Sequence, residues 1–183
     1  MKIKAFNQIL NKIGKKNIVI FGHMGSGKSI IGKKIANYFE VPHVDTDMEI
    51  TKEENKSINR IFLENGESYF RKIESKIVIK NLKKENIVIS LGGGAILSQD
   101  VRKKIKKRSY SIFLRVDFNI LHKRLKKSKN RPLLRDVNIL TTIKELDSKR
   151  KKYYLDADKI INNSKSSNRT FINFKKNFLS LND

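Results

Sequence analysis

The sequence contains no cysteine and no tryptophan, and proline occurs only twice in its 183 residues. The absence of cysteine excludes a disulfide-stabilised scaffold. Long apolar runs are also absent, since none approaches the roughly eighteen residues that a membrane-spanning helix needs. Residues 1–16 are basic but lack the apolar stretch and the small-residue cleavage site of a secretory signal. We therefore expect a cytoplasmic protein without membrane association.

Acidic residues are scarce relative to basic ones. There are 18 Asp and Glu against 41 Lys and Arg, which gives a formal net charge of +23 and a pI near 10.2. Such a charge attracts polyanions, so nucleic-acid binding is one interpretation. The lysines are scattered along nearly every segment, however, and no interleaved aromatics or known nucleic-acid module accompany them. A basic solvated surface explains the charge better, and nucleic acid is not the expected partner.

The length suits one domain that is large enough to bury a continuous core. No internal repeat and no change of composition marks a second domain. We predict a single domain over residues 1–183, with a basic N-terminal extension over residues 1–16, and we expect a monomer. Apolar periodicity predicts strands over residues 17–21, 43–45, 86–91, 110–116 and 159–162, and helices over residues 5–13, 28–39, 57–63, 66–82, 98–106, 118–127 and 139–156 and at the C-terminus.

The strongest motif is G-H-M-G-S-G-K-S over residues 22–29, which matches G-x-x-x-x-G-K-[ST] at every fixed position. A predicted strand precedes it and a predicted helix follows it. Its glycines allow successive N–H groups to surround phosphate oxygens, while Lys28 can reach the β- and γ-phosphates and Ser29 can bind Mg²⁺. An accidental glycine-rich turn is the alternative, and the flanking strand and helix disfavour it. The motif predicts a nucleoside triphosphate site.

Two carboxylates, Asp45 and Asp47, lie at the end of the short second strand. In an extended backbone, residues two apart point the same way, so both are expected to face one pocket at the carboxyl edge of the sheet. One would assist Mg²⁺ through water, and the other would accept a hydrogen bond from an alcohol. The alternative is that Asp47 caps the helix that follows.

Further candidate residues lie on the helices and loops that follow. Arg71 and Glu74 are three apart on a predicted helix, so the acid can orient the guanidinium, although a surface ion pair is the alternative. The three glycines 92–94 follow a buried strand and would let a ligand approach backbone N–H groups. Residues 126–138 have the length and charge of a flap over phosphates. Arg150 lies four residues before a tyrosine on one helix face.

Taken together, these pieces make the chain similar to the shikimate kinase family. The resemblance runs from residue 17 to about residue 154. It is carried by G-H-M-G-S-G-K-S over 22–29, D-T-D over 45–47, G-E-x-x-F-R-x-I-E over 66–74, S-L-G-G-G-A over 90–95, R-P-L-L over 131–134 and K-R-x-x-x-Y over 149–154. Each motif is modest alone, but their order and spacing are highly specific.

The resemblance implies an α/β, three-layer P-loop kinase fold, similar to nucleoside monophosphate kinases. This fold has a five-stranded parallel sheet in the order 2-3-1-4-5 with helices on both faces, in agreement with the alternation of strands and helices. The resemblance also implies ATP-dependent phosphorylation of the 3-hydroxyl of shikimate, on the route to chorismate and the aromatic amino acids. ATP and Mg²⁺ are then the expected cosubstrate and cofactor.

The site residues of the family carry over position by position. The residues expected to bind shikimate are Asp47, Arg71, Gly93 and Arg150. Those expected to bind ATP are Gly25, Ser26, Gly27, Lys28, Ser29, Ile30, Arg124 and Arg131, with Ser29 and Asp45 at the metal. The expected catalytic residues are Asp47, which orients and deprotonates the alcohol, and Lys28 and Arg131, which neutralise the transferring phosphate. Arg131 belongs to the predicted lid over residues 126–138.

The sequence also departs from the family pattern. The third strand ends in Ser90-Leu91 and has no aspartate for the metal, and Ile30 stands where the family often has threonine. After Tyr154 the match fades, which leaves a second adenine contact near Lys165 or Ser166 without support. The three histidines show no metal-ligand spacing and are assigned no role.

Two other functions fit parts of the sequence. A gluconate kinase would share the phosphate-binding motif, but it is not expected to combine three glycines with a pair of carboxylate-binding arginines. A basic nucleic-acid-binding NTPase would account for the net charge, and it predicts hydrolysis that is stimulated by RNA or DNA and falls steeply with salt.

Overall fold

The computed structural model describes residues 2–126 and 138–182. Its strands are β1 (Asn17–Phe21), β2 (His43–Asp45), β3 (Val88–Ser90), β4 (Ser109–Arg115) and β5 (Lys159–Asn162). They form one sheet in the order β2-β3-β1-β4-β5, and every neighbouring pair is parallel. The predicted topology is therefore confirmed.

The helices alternate with these strands along the chain. They are α1 (Lys2–Lys12), α2 (Lys28–Phe39), α3 (Thr46–Glu54), α4 (Ile58–Leu82), α5 (Gln99–Arg108), α6 (Phe118–Lys126), α7 (Ile139–Tyr154) and α8 (Ser167–Leu179), with short 3₁₀ turns at Ala95–Leu97 and Ser180–Asn182. No helix in these two described ranges is both long and apolar enough to cross a membrane.

The central strand β1 shows why the fold has three layers. All five of its residues are buried, and their side chains alternate between the two faces of the sheet. Ile18 and Ile20 join a core with apolar residues of α1, α2 and α8. Val19 and Phe21 join a second core with residues of α4, α5 and α7. The predicted helical layers on both faces are confirmed.

The N-terminal helix α1 is part of the first core. The Phe6 ring centre lies 5.1 Å from that of Phe39 on α2 and 5.8 Å from that of Phe178 on α8. Ile9 and Leu10 are each only 1% exposed. The basic residues of this segment thus surround an apolar stripe that packs on the sheet layer.

Helix α4 unites two helices that the sequence predicted separately. Gly66 interrupts it with φ 79° and ψ 173°, a conformation that glycine adopts without steric cost. At its start, the Ser57 hydroxyl accepts a hydrogen bond from the Arg60 N–H at 3.2 Å. The kinked helix packs on α3 through a small apolar cluster that includes Ile50 and Ile61. This cluster places one wall of a pocket beside the sheet edge.

Candidate active site

The phosphate-binding loop connects β1 to α2. Gly25 and Gly27 have φ angles of 76° and 90°, and Gly27, the N-cap of α2, has no side chain that could cap the helix. The first N–H groups of this helix therefore remain available to an anion. The Lys28 ammonium donates to the carbonyl oxygens of Gly22 and His23 at 3.1 and 2.9 Å, which holds it over the loop.

Asp45, the last residue of β2, contacts the phosphate-binding motif through Ser29. Its Oδ2 accepts a hydrogen bond from the Ser29 hydroxyl, and its Oδ1 accepts from the N–H groups of Asp47 and Met48 at 3.0 and 3.4 Å. Asp45, not Asp47, is thus the N-cap of α3. The prediction that both carboxylates continue an extended strand was wrong, because α3 begins directly after β2 and Asp47 lies in its first turn.

The Ser29 and Asp45 pair fits the predicted magnesium site. Within residues 2–126 and 138–182, no group of three or more His, Asp or Glu side chains is placed to hold a metal ion by itself. Mg²⁺ in nucleotide sites needs no such cluster, since it takes one or two protein oxygens and completes its shell with phosphate and water. A hydroxyl and a carboxylate in direct contact at the phosphate-binding loop supply this donor set.

A cavity beside the loop brings together the four residues predicted to bind shikimate. Its lining consists of Asp47, Arg71, Gly93 and Arg150 together with Met24, Ile58, Phe62, Phe70, Glu74 and Gly94. These residues come from the phosphate-binding loop, α3, α4, the loop after β3, and α7. Because the strands are parallel, their following segments meet at one edge of the sheet, as predicted.

Arg71 is held by two carboxylates rather than by a single surface partner. Its Nη1 donates to Glu74 at 2.6 Å, and its Nε and Nη2 donate to Glu67 at 3.1 and 2.9 Å. Glu74 has a side chain that is only 2% exposed, so burial raises the pKa of its carboxyl while Arg71 opposes the rise. Burial of Arg71 disfavours its charge, but the two glutamates outweigh burial and raise the pKa of the guanidinium. The predicted orienting role of Glu74 matches this geometry, and the surface-pair alternative does not.

The glycines that follow β3 make room for these charged side chains. A Cβ atom on Gly92 would lie 2.5 Å from a carboxylate oxygen of Asp47 and 2.5 Å from one of Glu74, and a Cβ atom on Gly94 would overlap the Arg71 guanidinium. A Cβ atom on Gly93 would meet Arg150 at an ordinary 3.5 Å. A side chain at Gly92 or Gly94 would therefore displace these charged groups. The sequence alone did not predict this reason for the two glycines.

Arg150 completes the cavity from α7. It is 2% exposed, and within the described residues its Nε has no hydrogen-bond partner. A buried guanidinium nitrogen without a partner is costly and is a natural position for an anionic ligand. One turn later, the Tyr154 hydroxyl donates to the Gly93 carbonyl at 2.8 Å, and burial raises the pKa of Tyr154 to about 12. Arg150 thus lines the cavity, and Tyr154 on the same helix contacts Gly93 of its lining.

Arg124 and Ile30, both expected to bind ATP, lie beside the phosphate-binding loop. Arg124 donates to the carbonyl oxygens of Gly25 and Asn163 at 3.2 and 2.8 Å, which places its guanidinium across the loop. Ile30 is 57% exposed and lines a cavity with Lys28, Ser29, Asp45 and Asp47 among others. Ser166, near the expected second adenine contact, caps α8 by accepting from the Arg169 N–H at 3.3 Å.

Two residues of this region, Asn163 and Thr46, were not predicted from the sequence. The Asn163 amide donates to the Ser26 carbonyl at 2.7 Å and accepts from Thr170 at 2.6 Å, so it supports the loop from below. The Thr46 hydroxyl accepts from the Gly92 N–H at 2.9 Å. Thr46 and Asn163 directly follow strands, so the rule that strand ends meet at one edge would have found them.

The predicted lid arginine, Arg131, lies outside the described residues, as does most of the predicted lid.

Comparisons with known proteins identify the family. The family model for shikimate kinase matches residues 24–178. A shikimate kinase from Bartonella quintana (strain Toulouse) is 39% identical over 163 residues, which are 89% of this chain and 78% of that protein. The solved structure of shikimate kinase from Acinetobacter baumannii in complex with shikimate has a TM-score of 0.89 at 27% identity and covers 97% of both chains.

The likeness to another kinase is weaker. A gluconokinase from Sinorhizobium meliloti 1021 has a TM-score of 0.56 at 16% identity, with 92% of both chains covered, which shows a shared fold alone. In contrast, the shikimate kinase model spans most of the chain and the Bartonella relative is similar along nearly all of it. This chain therefore belongs to the shikimate kinase family.

Proposed function

We propose that this chain transfers the γ-phosphate of ATP to the 3-hydroxyl of shikimate. One observation carries the proposal: Asp47 lines two neighbouring cavities at once. The first, called the substrate cavity below, contains Arg71 and Arg150, and the second contains Lys28 and Ser29 of the phosphate-binding loop. An alcohol bound at Asp47 lies between the groups suited to a carboxylate and the groups suited to a triphosphate.

The chemistry of the first cavity matches the functional groups of shikimate, which carries one carboxylate and three hydroxyls. Arg71 and Arg150 present forked donors that form charge-assisted hydrogen bonds to a carboxylate. Asp47 accepts from a hydroxyl, and the Gly93 N–H donates to one. The likeness to the Acinetobacter enzyme, which was solved in complex with shikimate, supports the same substrate here.

The residues have separate tasks in the proposed reaction. Phosphoryl transfer passes through a loose transition state, so the protein mainly positions groups and cancels charge. Asp47 orients the attacking hydroxyl and accepts its proton, and Lys28 neutralises the transferring oxygens; Arg131, the lid arginine expected from the sequence, is proposed to do the same. Ser29 and Asp45 would hold Mg²⁺, which when bound supplies positive charge at the β- and γ-phosphates.

The proposal is tested by assays of phosphate transfer from ATP with shikimate, with gluconate and without an acceptor. The wild type is compared with Asp47→Asn. We expect transfer to shikimate alone, and a fall in turnover of at least about a hundredfold in the variant, since a general base contributes roughly this much. Asp156→Asn is the matched control, because this aspartate is 68% exposed and pairs with Lys106 at 3.5 Å.

The possible results separate the competing functions. Transfer to gluconate without transfer to shikimate would refute the proposal, and full turnover in Asp47→Asn would remove that residue from the mechanism. Hydrolysis that is stimulated by RNA or DNA and declines steeply with salt would favour the nucleic-acid-binding NTPase. The single-domain boundaries, the monomeric state and the cytoplasmic location stay predictions.

A further inference from the structure

His23 stands inside the phosphate-binding loop and has a buried side chain that the proposed mechanism does not use. It is 4% exposed, and its Nε2 lies 2.9 Å from Oδ1 of Asp147 on α7. Its ring also makes edge contacts with Tyr154 and Phe118, with centroid distances of 5.0 and 6.1 Å. The imidazole is thus enclosed by aromatic rings and has one carboxylate partner.

The backbone of His23 is part of the phosphate-binding machinery. Its carbonyl oxygen accepts from the Lys28 ammonium at 2.9 Å and from the Ser26 N–H at 3.1 Å. A displacement of this residue would therefore move the lysine that contacts the phosphates. The loop motif, however, leaves the side chain at this position unspecified, so the imidazole needs a separate explanation.

The partner of His23 lies on the helix that forms the other half of the site. Asp147 is three residues before Arg150 on α7, and Tyr154 is four residues after it. Through these side chains, one helix contacts the phosphate-binding loop, the substrate cavity and the carbonyl of Gly93. Residues three and four apart share a helix face, so a shift of α7 would move all three contacts together.

We propose that His23 and Asp147 form a positioning pair that fixes the phosphate-binding loop against α7 and so sets the alignment of the triphosphate with the acceptor alcohol. The inference rests on the proposed function, in which Arg150 holds the acceptor and Lys28 holds the phosphates. The two substrates are bound by different elements, and misplacement of about 1 Å costs on the order of a hundredfold in rate. The pair is a direct polar link between those elements.

The protonation state of the imidazole agrees with this role. Burial lowers the pKa of His23, the hydrogen bond and charge of Asp147 oppose the fall, and Arg150 and Lys28 lower it further. The ring is therefore neutral near pH 7.5, and the nitrogen that faces the carboxylate must carry the proton. A neutral donor at Nε2 links the two elements without adding positive charge beside Arg150 and Lys28.

The test compares steady-state kinetics of His23→Phe, Asp147→Ala and the double variant with the wild type. Phenylalanine keeps the aromatic contacts but cannot donate, so we expect each single variant to lower kcat about tenfold while both KM values change less than about threefold. The double variant should be no worse than either single variant, because both remove the same link. Asp147→Asn retains an acceptor oxygen and should restore most of the turnover.

Glu145→Ala is the matched control, because it removes an exposed carboxylate from the same helix. Turnover within twofold of wild type in both single variants would overturn the proposal, and so would losses that multiply fully in the double variant. A residue that only stabilises the fold would lower the unfolding midpoint and leave kcat per folded molecule unchanged, so thermal unfolding is measured on every variant.

A second measurement does not depend on the acceptor. In ¹H–¹⁵N spectra, Asp147→Ala should shift the amide signals of the phosphate-binding loop, residues 22–29, relative to the wild type and to Glu145→Ala. Unchanged loop signals would refute the positioning pair even if shikimate is phosphorylated. Conversely, a wild type that phosphorylates no shikimate would refute the proposed function, and the loop signals would still decide whether the pair positions the loop.

Discussion

The phosphate-binding loop and the substrate cavity share one edge of the sheet but are built in opposite ways. The loop motif is eight consecutive residues, 22–29, of which the last two begin α2, and its conformation depends on glycines and on the start of that helix. The cavity draws its polar side chains from α3, α4 and α7, which are far apart in sequence. A local element thus forms the proposed triphosphate site, and an assembled one forms the proposed site for the acceptor.

This difference predicts that substitutions in the two regions cause different kinetic defects. A change in the loop should impair transfer to any acceptor, since it acts on the triphosphate. A change in the cavity should raise the KM for shikimate and leave the KM for ATP almost unaltered, because its arginines contact only the acceptor in the proposed arrangement. Asp47, which borders both regions, should affect turnover itself.

The largest effect is expected from Lys28→Met. Methionine preserves the length of the side chain but removes the charge at the phosphates, so kcat should fall by about a hundredfold to a thousandfold. Transfer to shikimate and background hydrolysis of ATP should fall together, which coupled assays with and without shikimate would measure. Lys33→Met, an exposed lysine on the same helix, is the matched control. A loss confined to shikimate transfer would contradict the distinction between the regions.

Arg71→Lys and Arg150→Lys test the substrate cavity. Lysine keeps the positive charge but loses the forked donors, so the KM for shikimate should rise roughly tenfold or more in each variant. The KM for ATP should stay within about twofold of wild type, as initial rates over a grid of both substrates would show. Arg60→Lys is the matched control on α4, because Arg60 has a 65% exposed side chain and pairs with Glu64 away from the cavity. Equal changes in both KM values would argue against separate regions.

The glycines after β3 allow a finer test within the cavity. Alanine at Gly94 would overlap the Arg71 guanidinium and displace it, whereas alanine at Gly93 meets Arg150 at van der Waals distance. Gly94→Ala should therefore raise the KM for shikimate about tenfold, and Gly93→Ala less than threefold, since alanine preserves the N–H. The reverse order, measured in the same assay, would show that these glycines serve the ligand directly and do not serve their charged neighbours.

The same contrast explains what the sequence could predict. The loop was predictable because its chemistry depends on adjacent residues. Asp47 lies at the carboxyl edge of the sheet as expected, but the local reason was wrong, because the rule about strand ends holds whether the next residue is extended or helical. The bond between His23 and Asp147 joins residues 124 positions apart, and it depends on how α7 lies against the loop. Spacing rules within one element carry no information about such contacts.

The smallest expected effect concerns the pH dependence of stability, which should have opposite signs for His43, next to the helix that follows the loop, and for Glu74 in the cavity. His43 lies beneath α2, where its Nε2 is 3.0 Å from the Ser90 hydroxyl, which in turn donates to the Lys28 carbonyl at 3.1 Å. Burial lowers the pKa of His43 from 6.5, with Asp45 opposing. The unfolded chain therefore binds this proton more readily than the folded protein, and the free energy of unfolding should fall as the pH drops below about 6.5.

Glu74 in the substrate cavity reverses the sign. Burial raises the pKa of its carboxyl above 4.5, so the folded protein takes up this proton at a higher pH than the unfolded chain does. Its contribution to the free energy of unfolding should grow as the pH falls and be lost as the pH rises through the folded pKa. In urea titrations between pH 7.5 and 4.5, His43→Gln should flatten the loss of stability on acidification, and Glu74→Gln should steepen it. Burial disfavours the charged form of both groups, which lowers the pKa of an imidazole and raises that of a carboxyl. A change of slope in the same direction for both variants would contradict this prediction.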